Sequence, residues 1–238
     1  MRNIVIVGDG FSDYLVIRKF VKCLLQKHKN ETLEDSSFLD LKSLSIHLSL
    51  VKYIDKVKLS GDYSYHSKEA KDLIDKLIAT YFTCYKKFQI EFDEVSNKEV
   101  IIINADSESL IGSRLNYFED WAYSLKGLVD YSIEIFYDKM VESGYSYEYL
   151  PLITPLILFP SSEILVASCI YNNGTDALRK LNPNPALKTK VYGSSSIDEV
   201  IKSGELYNVL DTYITSDSIN EIYREIPEAR ILIHSLIS

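Results

Sequence analysis

Ile4, Val5, Ile6 and Val7 run without a polar break and stop at Gly8-Asp9-Gly10, after which Ile17, Phe20, Val21, Leu24 and Leu25 recur at helical spacing to about His28. A short continuous apolar run reads as a strand buried on both faces, and the i, i+3, i+4 recurrence as an amphipathic helix. The opening therefore predicts strand, turn and helix, with Ser12 or Asp13 as the helix cap. Residues 30–43 are polar and acidic and read as a surface excursion. Leu44, Ile46, Leu48 and Leu50 then alternate with Ser45, His47 and Ser49, the period of a half-buried strand nearer a sheet edge. Past Gly61, Leu73, Ile74, Leu77, Ile78, Tyr81, Phe82 and Tyr85 form the apolar stripe of a helix over about 67–88.

Residues 100–103 repeat the opening pattern: a buried strand that runs into Asn104-Ala105-Asp106-Ser107-Glu108-Ser109. A helix over 117–140 follows, with Gly127 as a point where it can break. The third strongly apolar run, 152–159, is interrupted by Thr154 and Pro155 and ended by Pro160. Ser161 or Ser162 is then predicted to cap a helix carrying Glu163, Ile164, Leu165 and Val166, closed by Asn172-Asn173-Gly174. From Thr175 onward Pro183, Pro185, Gly193 and Gly204 punctuate short helical segments with no strand among them. Ser196 with Glu199 fits a capping box, and Pro227 fits the first position of a last helix ending near Ile237.

Strands alternating with helices predict an α/β fold with a mainly parallel sheet covered on both faces. Residues 1–171 form the α/β domain and 172–238 a small helical C-terminal region packed on it. Composition agrees: 238 residues, 46% apolar and 25% charged, suit one large or two small domains with a well-buried core. Cys23, Cys84 and Cys169 stand far apart with no CxxC pair, so neither a disulfide framework nor a zinc site is expected. His28, His47, His66 and His234 are equally scattered and read as core or surface residues. No apolar stretch approaches the length of a spanning helix and no charged-then-apolar leader follows Met1, so a cytoplasmic protein is expected. On that basis the glycosylation-like triplets at Asn30 and Asn173 are chance matches.

A net charge of −8 argues against a protein that coats nucleic acid through bulk positive charge; such a role would need a local basic patch or a basic partner. The 18 tyrosines, many between Tyr117 and Tyr149, offer surfaces for base stacking or for packing in a core or subunit interface, including that of a homodimer. Packing is preferred, since no RNP-like or OB-like signature accompanies them.

The chemistry lies in the acids. Asp9 and Asp13 follow the first strand, Asp106 and Glu108 follow the strand at 100–103, and Glu163 follows the last. Asp106 and Glu108, two apart, project to one side of an extended segment and can share an ion. Glu163 in a first helical turn also has a simpler account, complementation of the helix dipole. Converging carboxylates repel, a hard divalent cation compensates them, and the absence of His or Cys neighbours favours Mg²⁺ or Mn²⁺ over zinc.

Four segments together carry a family resemblance: the turn G-D-G-F-S-D (8–13), D-S-E (106–108), F-P-S-S-E-I-L-V-A-S (159–168) and E-I-P-E-A-R-I-L-I-H-S-L (225–236). In this order and spacing the chain resembles TOPRIM proteins, the fold of topoisomerases, primases and OLD-type nucleases. It is most similar to the compact TOPRIM-like proteins encoded beside ABC/SMC-type ATPases in bacterial anti-phage and abortive-infection operons. The resemblance implies a TOPRIM-like sheet, an ATPase partner, a nucleic-acid substrate and metal-dependent phosphodiester hydrolysis of DNA or RNA, tRNA included. It assigns Asp9 as general acid/base or metal ligand and Asp106 and Glu108 as metal ligands, with Asp13 and Glu163 at additional acidic positions. Asp9 is one methylene shorter than the family's usual glutamate and Glu108 one longer than its usual aspartate, so every charge is kept. Lys188, Lys190 and Arg114 are the basic residues considered for phosphate contact. Two alternatives stand beside the nuclease. One is a catalytically inert TOPRIM-like subunit that binds and regulates through an ATPase partner. The other is a nucleotide-binding α/β protein, disfavoured because Asp9 at the turn repels phosphate and no P-loop lysine follows.

Overall fold

A computed structural model of the chain describes residues 3–8, 10–42, 99–106, 125–171, 174–179 and 185–238. The predicted strand at 44–50 and helix at 67–88 lie outside the described residues. Strands β1 (Ile4–Gly8), β2 (Phe38–Lys42), β3 (Val100–Asp106) and β4 (Leu152–Leu158) form one sheet, parallel throughout, in the order β2-β1-β3-β4. Helices α1 (Phe11–Lys29), α2 (Leu125–Glu142) and α3 (Glu163–Ile170) belong to the α/β part. The helices α4 (Thr175–Arg179), α5 (Pro185–Tyr192), α6 (Ile197–Lys202), α7 (Glu205–Tyr213), α8 (Ile219–Glu225) and α9 (Ala229–Ile237) make the C-terminal region. The α/β class, the parallel sheet flanked by helices and the helical C-terminal region are thus as the sequence pattern predicts.

Alternation along each strand sends side chains to two faces. Ile4 and Ile6, with Val100 and Ile102 paired to them across the ladder and Leu156 and Leu158 beyond, join one buried cluster with Ile17, Phe20 and Leu24 of α1 and Leu232, Ile233 and Leu236 of α9. Ile164 and Leu165 of α3 and Leu187 of α5 belong to the same cluster, so the C-terminal helices share a core with the sheet. Complete burial of side chains such as Ile4, Phe20 and Leu24 contributes about 1.5–3 kcal/mol each. Val5, Val7, Ile101 and Ile103 face the other way, where α2 supplies Val129, Ile133, Phe136 and Met140. Tyr137 of α2 ties that helix to β4: its hydroxyl donates to Pro151 O (2.8 Å) and accepts from Ile153 N (2.9 Å). Pro155 is tolerated because β4 pairs on one side alone among the described strands, so its missing N–H breaks no ladder.

Five expectations are corrected. The stretch 30–43 is not simply an excursion, because β2 lies within it: Phe38 is 7% exposed and the strand pairs with β1 from Ile4↔Phe38 to Gly8↔Lys42. Five residues with a central Asp40 are too short and too polar for periodicity to register, and pairing with a buried neighbour overrides composition. Helix α1 starts one residue before Ser12, at Phe11, with Gly10 as an extended N-cap, so Ser12 and Asp13 sit inside the first turn. Helix α2 runs through Gly127 without a break, held by its buried stripe. The capping box does not close: Ser194 Oγ donates to Glu199 Oε2 (3.3 Å) and accepts from Ser196 N (3.1 Å), which takes both partners the box would use. Pro227 lies two residues ahead of α9, its carbonyl accepting from Arg230 N.

No described helix is long and apolar enough to cross a membrane. Cys23 and Cys169 are free thiols that burial pushes toward the protonated form; Cys84 lies outside the described residues. Their character is that of core residues. His234, on α9, packs edge-on against Tyr223.

Candidate functional site

In a parallel sheet of order 2-1-3-4 the helices α1 and α2, which follow β1 and β3 in the chain, cover opposite faces, and the carboxyl ends of these two strands are the switch point at which open α/β sheets bind ligands. Asp13 and Asp106 both stand there. Asp13, on the inner side of the first turn of α1, is 6% exposed, and Asp106 is the last residue of β3. A third chain segment joins them. After β4 the chain turns through a cis Phe159–Pro160 bond and brings Ser161-Ser162-Glu163 to the same edge. Ser162 Oγ donates to Asp13 Oδ1 at 2.5 Å and Ser162 N donates to Asp106 Oδ1 at 3.2 Å. The serine predicted as a helix cap makes no side-chain cap bond to α3 and instead links two carboxylates, one from the first turn of α1 and one from the end of β3.

Glu163 is 1% exposed; its Oε2 accepts from Ser161 Oγ at 2.6 Å, and Lys188 Nζ lies 3.9 Å from its Oε1. At that separation the ammonium is an electrostatic neighbour and Oε1 remains without a hydrogen bond. Tyr192 follows Lys188 by one turn of α5. Its buried hydroxyl has no partner, and burial first, then the charges of Glu163 and Asp13, hold the phenol firmly protonated. Helix α5 therefore delivers a cation and a phenol to acids in the first turns of α3 and α1.

Two glycines leave room. A Cβ at Gly8 would lie 3.5 Å from Asn104 Nδ2 and 4.0 Å from Asp13 Cβ, and one at Gly10 would lie 3.2 Å from Asp13 Oδ2. Asn104, two residues before Asp106 on the same strand, shares its face, is 4% exposed, and has neither Nδ2 nor Oδ1 hydrogen-bonded. Leaving a buried amide unsatisfied costs about 1–3 kcal/mol, so a wholly unpaired one beside a carboxylate is an exception that invites a ligand.

Of the residues predicted for the site, Asp13, Asp106, Glu163 and Lys188 come together. Lys190 does not join them: its Nζ sits over the Tyr171 ring at 5.9 Å. Asp9, Glu108 and Arg114 lie outside the described residues. Sequence reasoning missed Asn104, Tyr192 and the linking role of Ser162. Asn104 had a signal, a polar residue at the end of a buried strand in phase with Asp106; Tyr192 had none, since α5 reaches the site through tertiary packing alone.

Apart from Lys188 Nζ and the Asn104 amide nitrogen, the side-chain groups gathered here are oxygens, a set suited to a hard divalent cation and unsuited to zinc. Among the described residues no three His, Cys, Asp or Glu side chains alone form a metal-binding group. Comparison of the chain with protein-family models, with curated proteins and with solved structures gives no match.

Proposed function

We propose that the chain is a Mg²⁺- or Mn²⁺-dependent nuclease of TOPRIM type, hydrolysing phosphodiester bonds of DNA or RNA, tRNA included, as the cytoplasmic effector of an ATPase-coupled anti-phage system. One observation carries the reading: Asp13 and Asp106 are held to a single residue, Ser162, at the strand edge where parallel α/β sheets bind ligands. The cation would be held by Asp106 and Asp13, with Glu163 nearby; Asp9 and Glu108 are further ligands on the strength of the family resemblance alone. When bound it would activate water and stabilise the leaving oxygen. Ser162 fixes the spacing of two acids, Ser161 orients Glu163, and Lys188 has the charge and position to neutralise a substrate phosphate oxygen.

A second reading, an inert subunit that acts by binding an ATPase partner, draws on a different observation. Ser161, Ser162 and Lys188 stand against the acids, and such partners also suit a purely structural cluster. A cleavage panel over duplex DNA, single strands and tRNA, with Mn²⁺ or with chelator and with and without a co-purifying ATPase, separates the two. Metal-dependent cleavage supports the nuclease; partner binding with no cleavage of any substrate supports the inert subunit.

A further inference from the structure

We propose that Asn104 is a direct ligand of the divalent cation, giving the site a neutral oxygen through Oδ1; this deepens the reading of the site as a metal centre and rests on it. Asn104 and Asp106 stand in phase on β3, so their side chains leave the strand on one face a single pleat apart. The amide lies against Gly8 beside Asp13, both within 4.0 Å of the point where a Gly8 Cβ would stand, and Asp13 is bound through Ser162 to Asp106. The same cluster therefore contains both carboxylates and an amide that is 4% exposed and unpaired at both polar atoms.

The chemistry selects the ligand. An anion would meet the carboxylates of Asp13, Asp106 and Glu163, which repel it. An apolar ligand would leave the amide unsatisfied. A hydrated divalent cation answers both ends of the group: Oδ1 coordinates the ion, and Nδ2 donates to a water or carboxylate oxygen of its shell. A side-chain carbonyl adds a hard oxygen without adding negative charge to a site already rich in it. Gly8 has a part in this arrangement, since its missing side chain is the space beside Nδ2, and a methyl there would make an ordinary contact with the amide without strain.

The test is a calorimetric titration of the full chain with Mn²⁺ alone, paired with thermal unfolding in chelator. Asn104→Leu, similar in shape and apolar, is expected to weaken Mn²⁺ binding about tenfold or more, the scale seen when a supporting group of a metal site is lost. The same variant should keep or raise the melting temperature of the metal-free protein, because the unpaired amide is gone. Asn104→Asp, which keeps an oxygen at the position, should restore binding, and Gly8→Ala should weaken it while leaving the protein folded. Unchanged Mn²⁺ affinity in Asn104→Leu overturns the assignment and leaves the metal centre standing. A lowered melting temperature or lost fold in Asn104→Leu overturns it too, by showing that the amide serves the fold. Absence of Mn²⁺ binding in the wild-type chain overturns the metal reading together with this inference.

Discussion

Ser162 gives its hydroxyl to Asp13 and its backbone N–H to Asp106, so one residue determines how an acid of α1 and an acid of β3 approach each other. Ser162→Ala removes the hydroxyl and leaves a buried carboxylate one donor short; the expected cost is about 1–3 kcal/mol, read from denaturant unfolding. Glu99, just before β3 at the opposite edge of the sheet, has a different problem. It is 5% exposed, Oε1 has no partner, and burial pushes its carboxyl from 4.5 up to about 7. A raised acid means that the folded state holds a proton the unfolded state has released, so stability falls as pH rises between about 4.5 and 7. Glu99→Gln should remove that dependence and, above pH 7, exceed the wild type by about 1–3 kcal/mol in unfolding free energy, with little difference at pH 4. At this scale Asp13, Asp106 and Glu163 were legible as acids following strands, because strand ends are readable from apolar runs. Which hydrogen bonds hold them was not, since Ser162 fits a helix cap equally well until the tertiary position of Asp13 is known.

Helices and strands were legible in proportion to the length and regularity of their apolar pattern. The runs at 4–7, 100–103 and 152–159 all became strands of one parallel sheet, and the stripe from Ile17 to Leu25 became the buried face of α1. Strand β2 escaped notice because its short length and Asp40 leave only a brief alternation, and its pairing with β1 supplies what its composition lacks. Boundaries followed tertiary demands: α1 begins early enough to turn Asp13 inward, and Glu199 bonds Ser194 in place of its own cap. Elements of the C-terminal region are joined by a buried pair: both terminal guanidinium nitrogens of Arg179 on α4 donate to the carboxylate of Glu228 at the start of α9, Nη2 at 2.9 Å from Oε2. The Glu228 side chain is 1% exposed, so Arg179→Ala strands a buried charge and should destabilise the protein by about 3–5 kcal/mol. Arg179→Met, similar in volume, should fare no better, since the carboxylate would still lack its partner; calorimetric melting of both variants checks this.

Over the whole molecule, topology explains why residues distant in sequence meet. Placing β1 between β2 and β3 makes the carboxyl ends of β1 and β3 neighbours, which gathers Gly8, Asp13, Asn104 and Asp106. The return of the chain after β4 adds Ser161 to Glu163, and the shared core seats α5 so that Lys188 and Tyr192 reach the same acids. The parallel sheet follows from alternating strands and helices, whereas strand order does not, and the joining of the C-terminal helices to the site depended on that order. What this arrangement does is tested most directly by single-turnover cleavage in Mn²⁺ of whichever nucleic acid the wild-type chain cuts, with Asp106→Asn alongside. That variant keeps the side chain's shape and an oxygen that can accept from Ser162 N. The proposed nuclease predicts a loss on the order of 10²-fold or more with an unchanged melting temperature; cleavage by Asp106→Asn at the wild-type rate would contradict it.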